Sequence, residues 1–447
     1  MKKRILAAVL LSSFIGAFMG SSVNVAIPLM AVDFAVGADE LAWVISAFLL
    51  GSACVLLPMG RLADIVGRRR LFWLGNAAML AATSAAMMAP DASFLIIVRF
   101  LQGIAAAMLF STGMPLLISA WQGVAKGRLI GYSISCVYLG LFTGPFLGGF
   151  LAQHAGWRCI FLMSALVLLL SFSLVAGIRE DWYGSRGAAV DFVGSLLYAL
   201  ASFSFLYGLT AVAQQQGHGV LLTAAGILLF RLFLRQQRRT ESAIVDITLF
   251  ANKDFQAANA AAVFYYVSTY AISFLVSLYL QLVQGKSASE AGLILLAQPV
   301  MMALLSSFTG KLSDRFPARV ISGAGILITA AGIGSAALSL PHSSASLVAS
   351  LVVIGIGAAF FSAPNNHVVL NAAGAQHFSV ATSVRSFMRV SGQSLSMVFA
   401  SASLSLYGMD ALPAGCQQVL IVLAVICFSC GIAYLRVSAS GNGPACR

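Results

Sequence analysis

Charge is what this sequence has least of. Asp, Glu, Lys and Arg together make up 9% of 447 residues, against roughly 25% in a soluble globular chain, whose surface must face water. Hydrophobic residues reach 60% and the mean hydropathy is +0.93. Too few charges remain to coat a water-facing surface, so a lipid bilayer is the natural solvent. Carboxylates are the scarcer sign, 14 against 26 basic residues, and there are only 5 histidines. No His-His pair, Ser-His-Asp set or metal-ligand spacing occurs, which excludes the usual enzyme constellations. A GxxxxGK[ST] phosphate loop is also missing, which excludes ATP-driven pumping by this chain. No cofactor or metal is expected.

Cysteine offers no alternative framework. The seven residues form an odd set, and Cys54, Cys136, Cys159 and Cys427 sit in apolar runs. Cys427-Phe-Ser-Cys430 has CxxC spacing but no basic neighbour to activate a thiolate. These are packing residues, with no disulfide or zinc site indicated.

What the sequence has in abundance is long apolar runs. Stretches of about 20 residues cross the hydrocarbon core as helices. Fourteen are found, at approximately 5–30, 41–60, 71–89, 93–119, 129–152, 158–178, 190–211, 218–235, 256–282, 291–310, 320–340, 345–371, 379–407 and 415–435. The start, MKKRILAAVLLSSFIGAFMGSS, has the basic, apolar and small-residue order of a secretory leader. Its apolar run continues to Val32, so it is kept as the first span.

An even span number puts both termini on one side. With the N-terminus inside, only Arg158 and Lys286 of the 26 basic residues fall outside, and Arg99, Arg385 and Arg389 fall within spans. That asymmetry is the positive-inside rule, and it accounts for the net charge of +12 without nucleic acid. The expected location is the cell inner membrane, with cytoplasmic termini.

GRLADIVGRRR (Gly60, Asp64, Gly67, Arg68, Arg69) lies between spans two and three. GKLSDRF (Gly310, Asp314) lies between spans ten and eleven, at the same place in its six-span block. Such duplication marks secondary transporters, whose two bundles rock about a midplane site. The expected architecture is all-α: a six-helix bundle over 1–178, a two-helix insertion with its linkers over 179–253, and a second bundle over 254–447. The linker RLFLRQQRRTESAIVD has two open readings, a basic amphipathic segment on the anionic inner leaflet or a solvated loop.

GRLADIVGRRR matches the loop signature of the major facilitator superfamily, and Gly140, Gly144, Pro145, Gly148 and Gly149 in span five match its exporters' antiporter motif. Arg99-Phe-Leu-Gln102-Gly103, Asn24-Val-Ala-Ile-Pro28 and Trp43-Val-Ile-Ser-Ala-Phe48 extend the match along the chain. The sequence therefore resembles the fourteen-span drug:proton antiporters. That resemblance implies a monomeric exporter of small hydrophobic compounds driven by protons, with the Asp64 loop latching one state. Uptake of a neutral or anionic metabolite is the alternative, and a membrane enzyme or receptor the remote one. Cavity candidates are Asn24, Trp43, Arg99, Gln102, Tyr265, Tyr266, Gln298, Asn365, Asn366 and Arg389.

One feature departs from that family. Where many relatives carry an acid in span one, this chain has Met19, and every carboxylate can be placed at a span end or in a loop. The charges within spans are Arg99, Arg385 and Arg389, the last about 15 Å into its span. A neutral or anionic substrate is expected, with Asp33, Asp64 or His367 as proton carriers.

Overall fold

A computed structural model describes residues 1–121, 126–340, 343–373, 378–408 and 411–440. Within these the side chains of residues 38, 39, 126–128, 130, 314, 378, 379 and 438–440 are not described. Asp39, Lys126, Arg128 and the Asp314 side chain thus lie outside the described set, as do Asp410 and Arg447.

Among the described residues the regular structure is entirely helical. The helices are α1 (Lys2–Phe34), α2 (Ala38–Val66), α3 (Arg68–Met87), α4 (Ala92–Ala120), α5 (Lys126–His154), α6 (Arg158–Ala176), α7 (Phe192–Ala213), α8 (Gly219–Gln237), α9 (Lys253–Leu278), α10 (Ala288–Leu295), α11 (Ala297–Arg315), α12 (Ala318–Ser339), α13 (Ser344–Ala373), α14 (Phe378–Tyr407) and α15 (Leu412–Ser440). A π-turn, Tyr279–Val283, continues α9. Each of the fourteen apolar stretches is helical, the tenth broken at Leu296 between α10 and α11.

Among the described residues twelve helical units are long and apolar enough to cross a membrane, counting α10 and α11 as one. α3 and α14 have the length but not the apolarity. α3 opens on three arginines, and α14 carries Arg385, Arg389 and a row of serines. In a membrane every backbone polar group must be satisfied internally, which is why long helices dominate. Four of their N-termini are closed by side chains: Asp91 accepts from Phe94 N–H, Asp191 from Gly194 N–H and Asn252 from Asp254 and Phe255 N–H, while Ser287 and Glu290 form a reciprocal capping box.

α1 packs on α4, α5 and α6, α2 on α4, and α3 on α4 and α6. In the second half α12 packs on α13 and α15, α9 on α14 and α15, and α11 on α13. The halves meet along α2–α14 and along α5 with α10 and α11. α7 and α8 pair with each other, and α7 also touches α2 and α14. Tyr198 of α7 donates to Ala53 O at 2.7 Å and packs against Phe230, Phe233 and Phe387, which wedges the pair beside the α2–α14 seam.

The end of the linker after α8 is docked on protein. Ile244, Val245 and Leu249 are buried in a cluster with Leu57, Phe255 and Val384. Gln237 Oε1 accepts from Ile244 and Val245 N–H, and its Nε2 donates to Asp191 at 2.7 Å. The arginines at 231, 235, 238 and 239 remain exposed. We call the end of the molecule bearing this linker and the α2–α3 loop the basic end.

Candidate functional site

The α2–α3 loop is built as a clasp. Gly67 has φ +119, a conformation other residues adopt only with strain. The turn it makes releases the first N–H groups of α3, and the linker after α6 captures them. Asp181 accepts from Arg69 N–H at 2.9 Å and Arg70 N–H at 3.2 Å, and Trp182 O accepts from Arg68 N–H. A carboxylate at a helix N-terminus meets both orphan donors and the positive end of the dipole. Asp64 makes a 2.7 Å ion pair with Arg68, and its backbone carbonyl accepts from Gly184 and Ser185 N–H. The N-terminus of α3 is thus held by Asp181. Arg69 turns to the carbonyls of Val175 and Ala176, closing the C-terminus of α6.

This clasp abuts the second half. A Cβ on Gly60 would come 2.5 Å from Ser383 Oγ of α14, so glycine lets α2 and α14 approach this closely without displacing the Ser383 hydroxyl. Its sequence echo is different: Gly310 and, on the facing α5, Gly131 each have open space where a Cβ would sit. The two halves touch at the basic end through α2–α14.

The glycine row of α5 works at the other seam. A Cβ on Gly140, Gly144 or Gly148 would overlap Phe14 O, Ser21 or Ser22 of α1, so this face seats α5 against α1. Gly149 and Pro145 face the opposite half. A Cβ on Gly149 would strike Ala288 O, and one on Gly292 of α10 would strike Pro145 O. Ser289 N–H donates to Gln153 and Gln281 Nε2 to Val25 O, so the halves also meet at the end away from the linkers.

Arg99 lies inside the first half. It is 2% exposed, donates from Nε to Val44 O and from Nη1 to Gln102 Oε1 at 2.9 Å each, and lies 4.5 Å from the centre of the Phe48 ring. Gln102 in turn donates to Thr83. The network ties α2, α3 and α4 together. Arg99→Ala removes two buried hydrogen bonds and leaves Gln102 Oε1 without its donor, at about 1–3 kcal/mol. The expected result is a lowered thermal unfolding midpoint in detergent, with flux per folded molecule reduced far less than folded yield.

Other candidates separate similarly. Trp43 donates to Gln214 and packs on Tyr207, facing the α7–α8 pair. Asn365 donates to Ala258 O and accepts from Tyr434 within the second half. Tyr265 is buried and stacked on Phe361. Gln298 opens α11, where its carbonyl backs against Gly355. Asn24 is 3% exposed and its Oδ1 has no hydrogen-bond partner.

Asn366 and Arg389 lie where the halves face each other. Asn366 Oδ1 accepts from Arg385 at 2.8 Å, and Arg389 lies 5.2 Å from the centre of the Phe110 ring of α4. Tyr138 of α5 and Tyr266 of α9 lie within electrostatic reach of Arg385, and Tyr270 within reach of both Arg99 and Arg389.

The family model of the Major Facilitator Superfamily matches residues 9–230 and 258–445. The chain belongs to that superfamily. The riboflavin transporter RibZ of Clostridioides difficile is 27% identical over 81% of this chain and 80% of its own. The multidrug resistance protein Stp of Mycobacterium tuberculosis is 31% identical over 83% of this chain and 70% of its own. The multidrug efflux pump LfrA of Mycolicibacterium smegmatis is 28% identical over 80% and 72%. This superfamily member is a multi-pass membrane transporter of small molecules and not an enzyme.

The expected proton carriers Asp33 and His367 lie toward the ends of their helices. Asp33 accepts from Trp157 and pairs with Arg158 at the end away from the linkers. His367 is exposed beside Asn371. Sequence reasoning missed Asp181 and Gly292 as partners of its two motifs. Asp181 sits in a linker without periodicity, and Gly292 was one apolar-run residue among many.

Proposed function

We propose that this transporter is a secondary active exporter of small hydrophobic compounds, working by alternating access as a monomer. All fourteen apolar helices cross the bilayer, α3 and α14 included, because both are flanked by protein that can shield their polar faces. The basic end is cytoplasmic, by the positive-inside rule, and the membrane is the cell inner membrane. The observation that carries the export reading is the α5 glycine row. It packs one face on α1 and turns Pro145 and Gly149 to α10, so the antiporter motif forms the joint between the halves. Efflux relatives on either side of 30% identity support the same reading.

Protons are the proposed counter-ion, carried by Asp33, Asp64 or His367 at the two mouths of the seam. Uptake is the second reading, favoured by the resemblance to a riboflavin transporter. The test uses proteoliposomes of known orientation with an imposed pH gradient, loaded with ethidium, riboflavin or an anionic aromatic dye. Movement from the basic face to the opposite face, abolished when the gradient collapses, is expected. Accumulation toward the basic face establishes uptake, and flux indifferent to the gradient overturns proton coupling.

A further inference from the structure

The four ion pairs among the described residues are Asp64–Arg68, Asp181–Arg70, Asp33–Arg158 and Asp254–Arg319. Every carboxylate in them belongs to a helix end or a linker. Arg385 and Arg389, by contrast, lie about 10 and 16 Å along α14 from its start at 1.5 Å per residue. They are one turn apart and therefore on one helix face. Neither meets a carboxylate among the described residues. Arg385 gives one bond to Asn366, and Arg389 gives one long bond to Gln393 at 3.5 Å. Each guanidinium has five donors, so most of their capacity is uncommitted.

An arginine within a span normally faces a partner or a cavity, because leaving it in hydrocarbon is costly. Here the surroundings are aromatic. Phe110 lies under Arg389, and Tyr138 and Tyr266, one from each half, lie within electrostatic reach of Arg385. Arg385 and Arg389 are also near enough to repel each other. A bound anion would relieve that repulsion, and guanidinium forks match the two oxygens of a carboxylate or phosphate. The tyrosine and phenylalanine rings would take an aromatic or apolar body.

We propose that the transported compound is an organic anion, its carboxylate or phosphate held between Arg385 and Arg389 and its apolar body against Phe110, Tyr138 and Tyr266. Phe110 of α4 against Arg389 on one side and Asn366 of α13 bonded to Arg385 on the other place this site between the halves, where alternating access exposes it to each face in turn. The proposal deepens the export reading and rests on it. It also gives the absence of an acid in span one a physical sense: a carboxylate there would compete for the same arginines.

The test uses four naphthalene probes alike in body: 1-naphthoate, 1-naphthyl phosphate, 1-naphthalenemethanol and 1-naphthylmethylammonium. Binding is read as thermal stabilisation of the full-length protein in detergent, and transport as counterflow in proteoliposomes. The two anions are expected to stabilise and exchange, and their ratio tells carboxylate from phosphate. Arg385→Gln and Arg389→Gln should each weaken anion binding by about tenfold to a hundredfold, while Arg389→Lys, which keeps charge but not the fork, should lose less. An unshifted unfolding midpoint without ligand shows that the variants fold, and the lysine variant carries the test should a glutamine variant not.

Several results would sink the idea: the ammonium probe binding as well as the anions, anion binding unchanged in both glutamine variants, no stabilisation by either anion at saturation, or equal stabilisation by chloride or inorganic phosphate alone. Ethidium flux separates this failure from that of the transporter reading. If ethidium is pumped equally by wild type and both variants while the anions fail, export stands and the anion site falls. If no probe of any charge crosses, the transporter reading itself is overturned.

Discussion

Replacing Gly292 by valine is expected to cut transport by two orders of magnitude or more while leaving a folded protein. The backbone of α10 lies so close to Pro145 O that even a single Cβ would overlap it. Carbonyl oxygen cannot swing aside as a flexible side chain can, so α10 and α5 must part. The strain from such overpacking is about 1–3 kcal/mol in a yielding core, and more against backbone. Each half is expected to keep its own packing, because the atoms nearest a Cβ on Gly292 all belong to α5 across the seam. The two halves would then no longer close at the end away from the linkers, and alternating access would stall in one state. The measurement is flux per folded molecule, together with thiol labelling of single cysteines placed near Ser289 and Gln153. Labelling should rise in the valine variant. The control is Gly310→Ala, which adds a methyl group to open space and should leave flux within twofold. Normal flux in Gly292→Val would show that this contact is not part of the cycle.

The second large effect is expected at the clasp. Asp64→Asn keeps the shape but removes the charge paired with Arg68, and Asp181→Asn does the same for the α3 N-terminus. Both carboxylates are largely shielded, with side chains 12% and 7% exposed, so solvent replaces little of what is lost. Removing one member of a buried pair costs about 3–5 kcal/mol when water is fully excluded, and the partial exposure here lowers that figure. Each variant should lose at least tenfold in flux. The double variant should lose less than the product of the two, because both act on one structure, the α2–α3 turn. Strict additivity in that cycle would show that the linker and the latch work independently. Asp64→Glu, which restores charge at a longer reach, should recover part of the activity.

The elements of this fold were legible for a simple reason. Helices in lipid need about 20 apolar residues in a row, and such runs are a local property that one stretch of chain displays by itself. The polar helices α3 and α14 were legible too, because the apolar runs at 71–89 and 379–407 survive their arginines. The α5 glycine row and the GRLADIVGRRR loop were equally visible, since fixed spacing on one helix or turn is again local. The scarcity of carboxylates pointed away from a cationic substrate before any contact was known.

What each motif touches was a different matter. Asp181 and Arg69 lie 112 residues apart, and Gly292 and Pro145 further still, and nothing in either local pattern names the other. Arg99 and Arg389 look alike as charges inside apolar runs. One is spent on a carbonyl and an amide within its own half, and the other faces the opposite half with its donors largely unused. Amino-acid order by itself determined the helices, their breaks and the charges they carry, because hydrophobic length and backbone chemistry act over a few turns. Which side chains are consumed in packing and which remain to meet a solute was decided only when distant helices came together, because a buried donor's role depends on the acceptor that the fold brings to it.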